Sequence, residues 1–287
     1  MRFRAGGVRF SVGPDAALLP AEREAVGRLD ADPPDDVQAP VRIELVTASP
    51  WASEDPALYP RWEPAVQRWS DGRLLCSHRS FTAEIDPFSG RAVLHRRQER
   101  AYPLEAVIRT AMVARLPLLG GLPLHAAGVV AEGCGVAFFG PSGAGKTTVA
   151  STSPFPVLSD ELVAVVPGRT FDLVRSGFWG EGKETARTGP VALALLVDLA
   201  KGPSFALTPL RPAEAAGRVL ASAPVPLAPP LWSRALAVAA ALVAAVPVYR
   251  MEWSPATPPW ERLAEVLGET TSSNVGPGGS APIPRSD

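Results

Sequence analysis

The chain has 287 residues, a formal net charge of −1 and 46% hydrophobic residues, enough for one large domain or a domain with a small appendage. A near-neutral chain with no basic stripe argues against a nucleic-acid backbone as its partner class. Two cysteines, Cys76 and Cys134, make no disulfide framework and fit a reducing cytoplasm, and Met1 to Gly7 lacks the apolar core of a signal peptide.

Residues 1–102 read as a β-rich region of short strands and turns. Val41 to Val46 alternates apolar and polar residues, as a half-buried strand does. Leu74 to Cys76, Phe81 to Ile85 and Ala92 to His95 follow as strands, with turns at Ser70 to Gly72 and Asp86 to Gly90. Asp30 to Pro40 is a polar, Pro-rich loop. Leu104 to Leu119 has helical spacing and ends at Gly120 and Gly121. The next unit is expected over residues 103–268, with a disordered Ser, Gly and Pro tail over 269–287.

Inside that unit lies the most specific signal. Gly140-Pro141-Ser142-Gly143-Ala144-Gly145-Lys146-Thr147 matches G-x-x-x-x-G-K-[ST], the phosphate-binding P-loop or Walker A motif. Lysine is rare here, only Lys146, Lys183 and Lys201, and one of the three falls where the motif needs it. Val136 to Phe139 before the loop reads as a buried strand, and Thr147 to Ala150 after it opens a helix. Glycines let backbone N–H groups approach phosphate oxygens, Lys146 would neutralise the β- and γ-phosphates, and Thr147 would ligate Mg²⁺. Gly140 through Thr148, including Thr148 itself, are therefore the expected nucleotide-binding residues.

Leu122 to Val130 is strand-like, Ala131 to Gly135 is a turn, and the chain returns as the strand that feeds the loop. Folding this hairpin about Gly133 and Cys134 brings His125 beside residues near 141 and 142. A lone His on an apolar strand is ordinarily a packed residue; the hairpin gives this one a place at the mouth of the phosphate loop. Phe155 to Leu158 is a short buried strand ending at Ser159-Asp160-Glu161. P-loop enzymes need an acid at such a strand end, and Asp160, with Glu161 beside it, is the candidate for catalysis and for Mg²⁺. A meeting of His125 and Asp160 would form an acid–base pair.

Leu124-His125-Ala126-Ala127-Gly128, the P-loop and Leu158-Ser159-Asp160-Glu161, in that order, resemble the C-terminal kinase domain of HPr kinase/phosphorylase and its shorter relatives. Those relatives include serine kinases of peptide-modification clusters, such as lasso-peptide precursor kinases. The resemblance covers roughly residues 105–265. It implies an α/β fold shared with phosphoenolpyruvate carboxykinases, with the P-loop in a mixed, largely antiparallel sheet. It implies ATP and Mg²⁺ as cofactors and transfer of the γ-phosphate to a hydroxyl, the serine of a small protein or peptide. It carries the histidine role to His125 and the catalytic or metal acid to Asp160.

The chain departs from the family in places. The acid pair is Asp160-Glu161 rather than two aspartates, Pro154 and Pro156 cut the helix after the loop short, and the Gly-rich segment tied to dephosphorylation has no counterpart. Lys183 and Arg187 follow Phe178-Trp179-Gly180-Glu181; either belongs to a solvated loop, or Lys183 supplies a catalytic cation to the transferring phosphoryl group.

Beyond that segment, strands are expected at Val191 to Val197 and Tyr249 to Trp253, and helices over Arg211 to Ala221 and Trp260 to Leu267. The apolar run Ala235 to Val248 is too short to span a bilayer and reads as a buried helix.

The only Asn is Asn274, so no guanine-reading Asn-Lys-x-Asp motif exists, and no Leu-Ser-Gly-Gly signature of transport ATPases is present. Three functions stay open: a hydroxyl kinase acting on a protein or peptide, a small-molecule kinase on the same fold, and a non-catalytic nucleotide-binding module. No nucleic acid or membrane is expected as partner. The oligomeric state stays open, with a homo-oligomer among the options.

Overall fold

The computed structural model describes residues 1–13, 18–31, 38–46, 65–69, 71–78, 80–96, 102–178, 180–182, 185, 189–226, 228–255 and 258–274. They form a mixed α/β protein built on two mixed sheets.

The first sheet gathers β1 (Arg2–Ala5), β2 (Val8–Val12), β3 (Asp30–Ala31), β4 (Val41–Val46), β5 (Ala65–Arg68), β6 (Leu74–His78), β7 (Phe81–Asp86) and β8 (Arg91–Arg96). Their order is β3-β1-β2-β4-β8-β7-β6-β5, so β5 stands at one edge. β4 runs parallel to both β2 and β8, and the other neighbours are antiparallel. Alternation explains the strands: in β4, Val41 and Ile43 are buried while Arg42 and Glu44 face out. α1 (Pro20–Gly27) packs beside α2 (Tyr102–Arg115), which lies across β7 and β8. A 3₁₀ turn over Leu116–Leu119 continues α2 and stops at Gly120, whose φ of 77° is the left-handed ending glycine supplies.

The second sheet has nine strands. They are β9 (Leu122–Leu124), β10 (Ala126–Ala131), β11 (Cys134–Phe139), β12 (Val157–Ser159), β13 (Val163–Pro167), β14 (Phe171–Arg175), β15 (Val191–Lys201), β16 (Ala206–Pro209) and β17 (Val248–Trp253). The main path is β12-β10-β11-β15-β14-β13-β9, with β17 against β15 and β16 against β17. Only β11 with β15 and β15 with β17 are parallel, so the sheet is largely antiparallel, as expected. β9 ends the path and β10 stands near its other end, yet one residue, His125, separates them in sequence. The sheet therefore curls back on itself. Glycine makes the closure close-packed: a Cβ on Gly128 would lie 2.7 Å from Val163 Cγ1, and one on Gly135 2.8 Å from Leu173 Cβ.

The central strands of the second sheet are buried on both faces. Along β11, Ala137 and Phe139 join one apolar core while Val136 and Phe138 join another; β15 divides Leu196 from Leu195 and Val197 in the same way. The first of these cores continues through α2 to Phe3 and Phe10 of the first sheet, so both sheets share it.

Four helices complete the fold: α3 (Lys146–Ser151), α4 (Pro212–Ala221), α5 (Pro229–Ala245) and α6 (Trp260–Asn274). Two expectations need correction. The apolar run after Ala235 is not wholly buried: α5 begins at Pro229 and buries a stripe of Leu231, Ala235, Val238, Ala239 and Leu242, while Leu236 stays 50% exposed. The last helix does not stop at Leu267 but continues to Asn274, so part of the expected tail is helical; residues 275–287 lie outside the described residues. Among the described residues, no helix is long and apolar enough to cross a membrane.

Candidate functional site

The site begins where β11 ends. β11 runs into Gly140, and the loop closes onto the six-residue helix α3, cut short before Pro154 and Pro156 as expected. Gly140, Gly143 and Gly145 hold φ values of 146°, 76° and 107°, a backbone that side chains disfavour. Space adds a second constraint: a Cβ on Gly140 would lie 3.0 Å from the Leu199 carbonyl, and one on Gly145 3.3 Å from the Trp253 ring. The Lys146 ammonium donates to the carbonyls of Gly140 (3.0 Å) and Pro141 (3.2 Å). Burial pushes its pKa down, partly offset by the negative charge of Glu161. The Ser142 and Thr147 side chains are exposed.

The hairpin delivers His125 to this loop. β10 and β11 are joined by the two-residue turn Glu132-Gly133, with φ of 50° and 78°, the all-positive pair of a tight hairpin. The register pairs Ala126 with Phe139, so His125 stands opposite Gly140, a residue or two short of the expected position. Its backbone N–H donates to the Ser222 carbonyl at 2.8 Å, holding the β9–β10 junction against the end of α4. His125, Gly140, Pro141 and Ser142 line one cavity of about 470 Å³.

The acid that faces the imidazole is Glu161. His125 Nδ1 lies 3.8 Å from Glu161 Oε1, and Arg109 of α2 holds the same oxygen at 2.7 Å. The expected His125–Asp160 pair is replaced by this one. The cause is local: Asp160 is 4% exposed and turned inward, its Oδ1 accepting from the Gly180 amide (2.8 Å) and its Oδ2 from the Gly182 amide (2.9 Å). Partial burial lowers the His125 pKa below 6.5; Glu161 opposes this, Lys146 and Arg109 add to it, and Asp160 opposes it more weakly. The Ser159 hydroxyl fixes the turn by donating to the Phe178 carbonyl at 2.8 Å and accepting the amides of Glu161 and Leu162, both at 3.1 Å. Lys183, Arg187 and Trp179 lie outside the described residues.

Three site residues carry no motif signal. Arg109 is one helical position among many. Asp198 ends the apolar run Val191 to Val197, and that signal was readable, but only the parallel pairing of Phe139 with Asp198 brings it to the strand end beside the loop. It is 3% exposed, and burial pushes its pKa up against the opposing charges of Arg218 and Arg250. Arg218 of α4 binds Asp198 at 2.6 Å and Glu214 at 2.9 Å, and it lines the His125 cavity together with Asp198.

Among the described residues, no cluster of three or more His, Cys, Asp or Glu is placed to cage a metal ion. Mg²⁺ carried by nucleotide phosphates takes only one or two protein ligands. The exposed Thr147 hydroxyl fits that part, while each Asp160 oxygen already accepts an amide. No protein-family model and no curated protein matches the chain.

Proposed function

We propose that the protein is an ATP-dependent kinase that transfers the γ-phosphate to a hydroxyl, on a fold of the HPr kinase and phosphoenolpyruvate carboxykinase type in the cytoplasm. The observation that carries this reading is one juxtaposition. Gly140, Pro141 and Ser142 of the glycine-built loop line the same cavity as His125; the Lys146 ammonium is held on the Gly140 and Pro141 carbonyls, and Glu161 stands 3.8 Å behind the imidazole.

Lys146 would exchange its two loop carbonyls for phosphate oxygens, and the loop amides would cradle the rest of the charge. The Thr147 hydroxyl would help to hold a Mg²⁺ ion carried by the nucleotide, which would supply neutralisation of phosphate charge. The acceptor hydroxyl attacks the γ-phosphorus as the bond to the β–γ bridging oxygen breaks, and ADP leaves with that electron pair. The hydroxyl proton passes to His125, neutral at pH 7 because burial lowers its pKa, and Glu161 stabilises the imidazolium. Asp160 serves as the anchor of residues 180–182 beside the site. Arg218, held by Asp198, adds positive charge to the phosphate cavity.

The engagement of Asp160 with two amides is the observation that favours the second reading, a non-catalytic nucleotide-binding module. Titration with Mg-ATP and transfer of labelled γ-phosphate to hydroxyl acceptors separate the two. Wild type is expected to bind and to transfer, with His125→Ala and Glu161→Gln each lowering transfer about a hundredfold at near-constant ATP affinity. Binding without transfer to any hydroxyl favours the module; no binding removes both readings.

A further inference from the structure

A second cavity is larger than the one around the phosphate loop. It measures about 720 Å³ and opens between the first sheet, α1, α2 and the Pro224–Pro226 linker. Nothing in the sequence marks it. The two cavities meet: Pro224 lines both, and the His125–Glu161 contact joins them, with His125 on the loop side and Glu161 on the other.

Its walls have a definite chemistry. One face of α2 supplies Tyr102, Ala106, Arg109 and Val113, spaced three and four residues apart. Leu29, Phe178 and Val225 add apolar surface from three other segments. On the edge strand β5, Val66 and Arg68 stand two apart and therefore share a face, the one turned to the cavity. Among the described residues, five charged ones line the space. Arg28 pairs with Glu105 at 3.0 Å and Arg109 with Glu161 at 2.7 Å. Arg68 is the fifth, and among the described residues it has no ion-pair or hydrogen-bond partner. The cavity thus combines apolar surface and two ion pairs with one spare guanidinium on the first-sheet wall and the His125–Glu161 contact at the other boundary.

We propose that this cavity is the acceptor site, and that it takes a slender hydroxylated ligand with an apolar body and a carboxylate, the carboxylate meeting Arg68 and the hydroxyl presented to His125 and Glu161. The inference rests on the kinase reading. It narrows the acceptor: a concave space of this volume encloses a ligand of drug size, whereas a folded protein docks through a broad surface. A free hydroxy acid and the carboxyl end of a peptide share this chemistry. The P–O bond forms on the acceptor oxygen, the proton leaves to His125, and ATP supplies the phosphoryl group.

The test uses the full chain with two pairs of probes: ω-hydroxydecanoate and its amide, and an N-acetylated apolar serine hexapeptide as free acid and as carboxamide. Binding is read by calorimetric titration and reaction by transfer of labelled γ-phosphate. At least one acid is expected to bind about tenfold more tightly than its amide, the scale of one exposed charge-assisted contact. Arg68→Glu should erase or invert that preference, and Arg68→Lys should keep part of it, both with unchanged ATP affinity. Preference for the fatty acid assigns a free hydroxy acid; preference for the peptide assigns a chain end. Equal binding of acids and amides, or a preference that survives Arg68→Glu, overturns the proposal while leaving the kinase reading intact. Acid-selective binding with no phosphoryl transfer to any probe removes the kinase reading and the acceptor assignment together, and leaves a carboxylate-binding cavity.

Discussion

The two sheets solve the same packing problem differently. The first includes strands with one face to the shared core and one outward, as Val41, Arg42, Ile43 and Glu44 of β4 show. The second is covered on both faces, so neighbouring residues such as Phe138 and Phe139 enter different cores. A strand clamped from both sides has few ways to shift; the glycine-built loop and His125 stand at ends of such strands, and Asp198 lies within β15 opposite the last residue of β11. The first sheet can spare its outer surface and supplies a cavity wall instead. The doubly covered sheet carries the glycine-built loop and His125, and the first sheet carries a wall of the larger cavity.

That contrast can be broken most directly at the doubly covered sheet. Phe138→Ala empties a fully buried site and should lower unfolding stability by about 3–5 kcal/mol. Urea unfolding followed by tryptophan fluorescence measures it. Because one core joins the two sheets, Phe10→Ala should shift the same single transition; two separate transitions would show that the sheets unfold independently.

Lys146→Ala comes next in size. It should weaken Mg-ATP binding by about 2 kcal/mol, since a phosphate charge loses its partner, and titration calorimetry would read it directly. The fold should change little, because the ammonium caps only two loop carbonyls. Unchanged ATP affinity would mean that the loop is not a phosphate cradle.

A smaller effect concerns pH. Burial keeps the folded His125 pKa below 6.5, so its neutral form is favoured in the native state. Its contribution to stability is complete above 6.5 and is lost as pH falls through the lowered folded value. The acid limb of the transfer rate should therefore lie below the ordinary imidazole pKa and vanish in His125→Ala. A limb above 6.5 would assign the proton to another group.

The smallest change is expected on the outer face of the first sheet. Arg91 and Glu44 pair across β8 and β4 at 3.0 Å with both side chains well exposed. Arg91→Ala should move stability by no more than about 0.5 kcal/mol, which thermal melts would show. A large loss there would blur the distinction between the two sheets.

What the sequence made legible follows the same division. Alternation exposed β4, strand-like runs between turn signals exposed β6, β7 and β8, and the motif with its hairpin exposed the loop and His125, because those signals are local. β1 and β2 went unmarked, as did β13 and β14, whose apolar residues match a buried strand and a buried helix alike. The choice between Asp160 and Glu161 was not legible either. Adjacent strand-end residues point to opposite sides, and which one faces the imidazole depends on amides some twenty residues later, at Gly180 and Gly182. The larger cavity had no signal at all, since its walls come from distant segments whose residues are individually ordinary.

The turn at Glu132-Gly133 has a consequence for sequences other than this one. A two-residue turn leaves no slack, so the span from His125 to Gly140 acts as a ruler. One added residue in either strand would slide the pairing by a step and invert the facing of every residue beyond it. One residue added to each strand would lengthen the hairpin and keep His125 opposite the start of the loop. Chains that use this arrangement should therefore differ in hairpin length by even numbers only. That parity offers a filter for distant kin whose remaining residues have drifted beyond alignment.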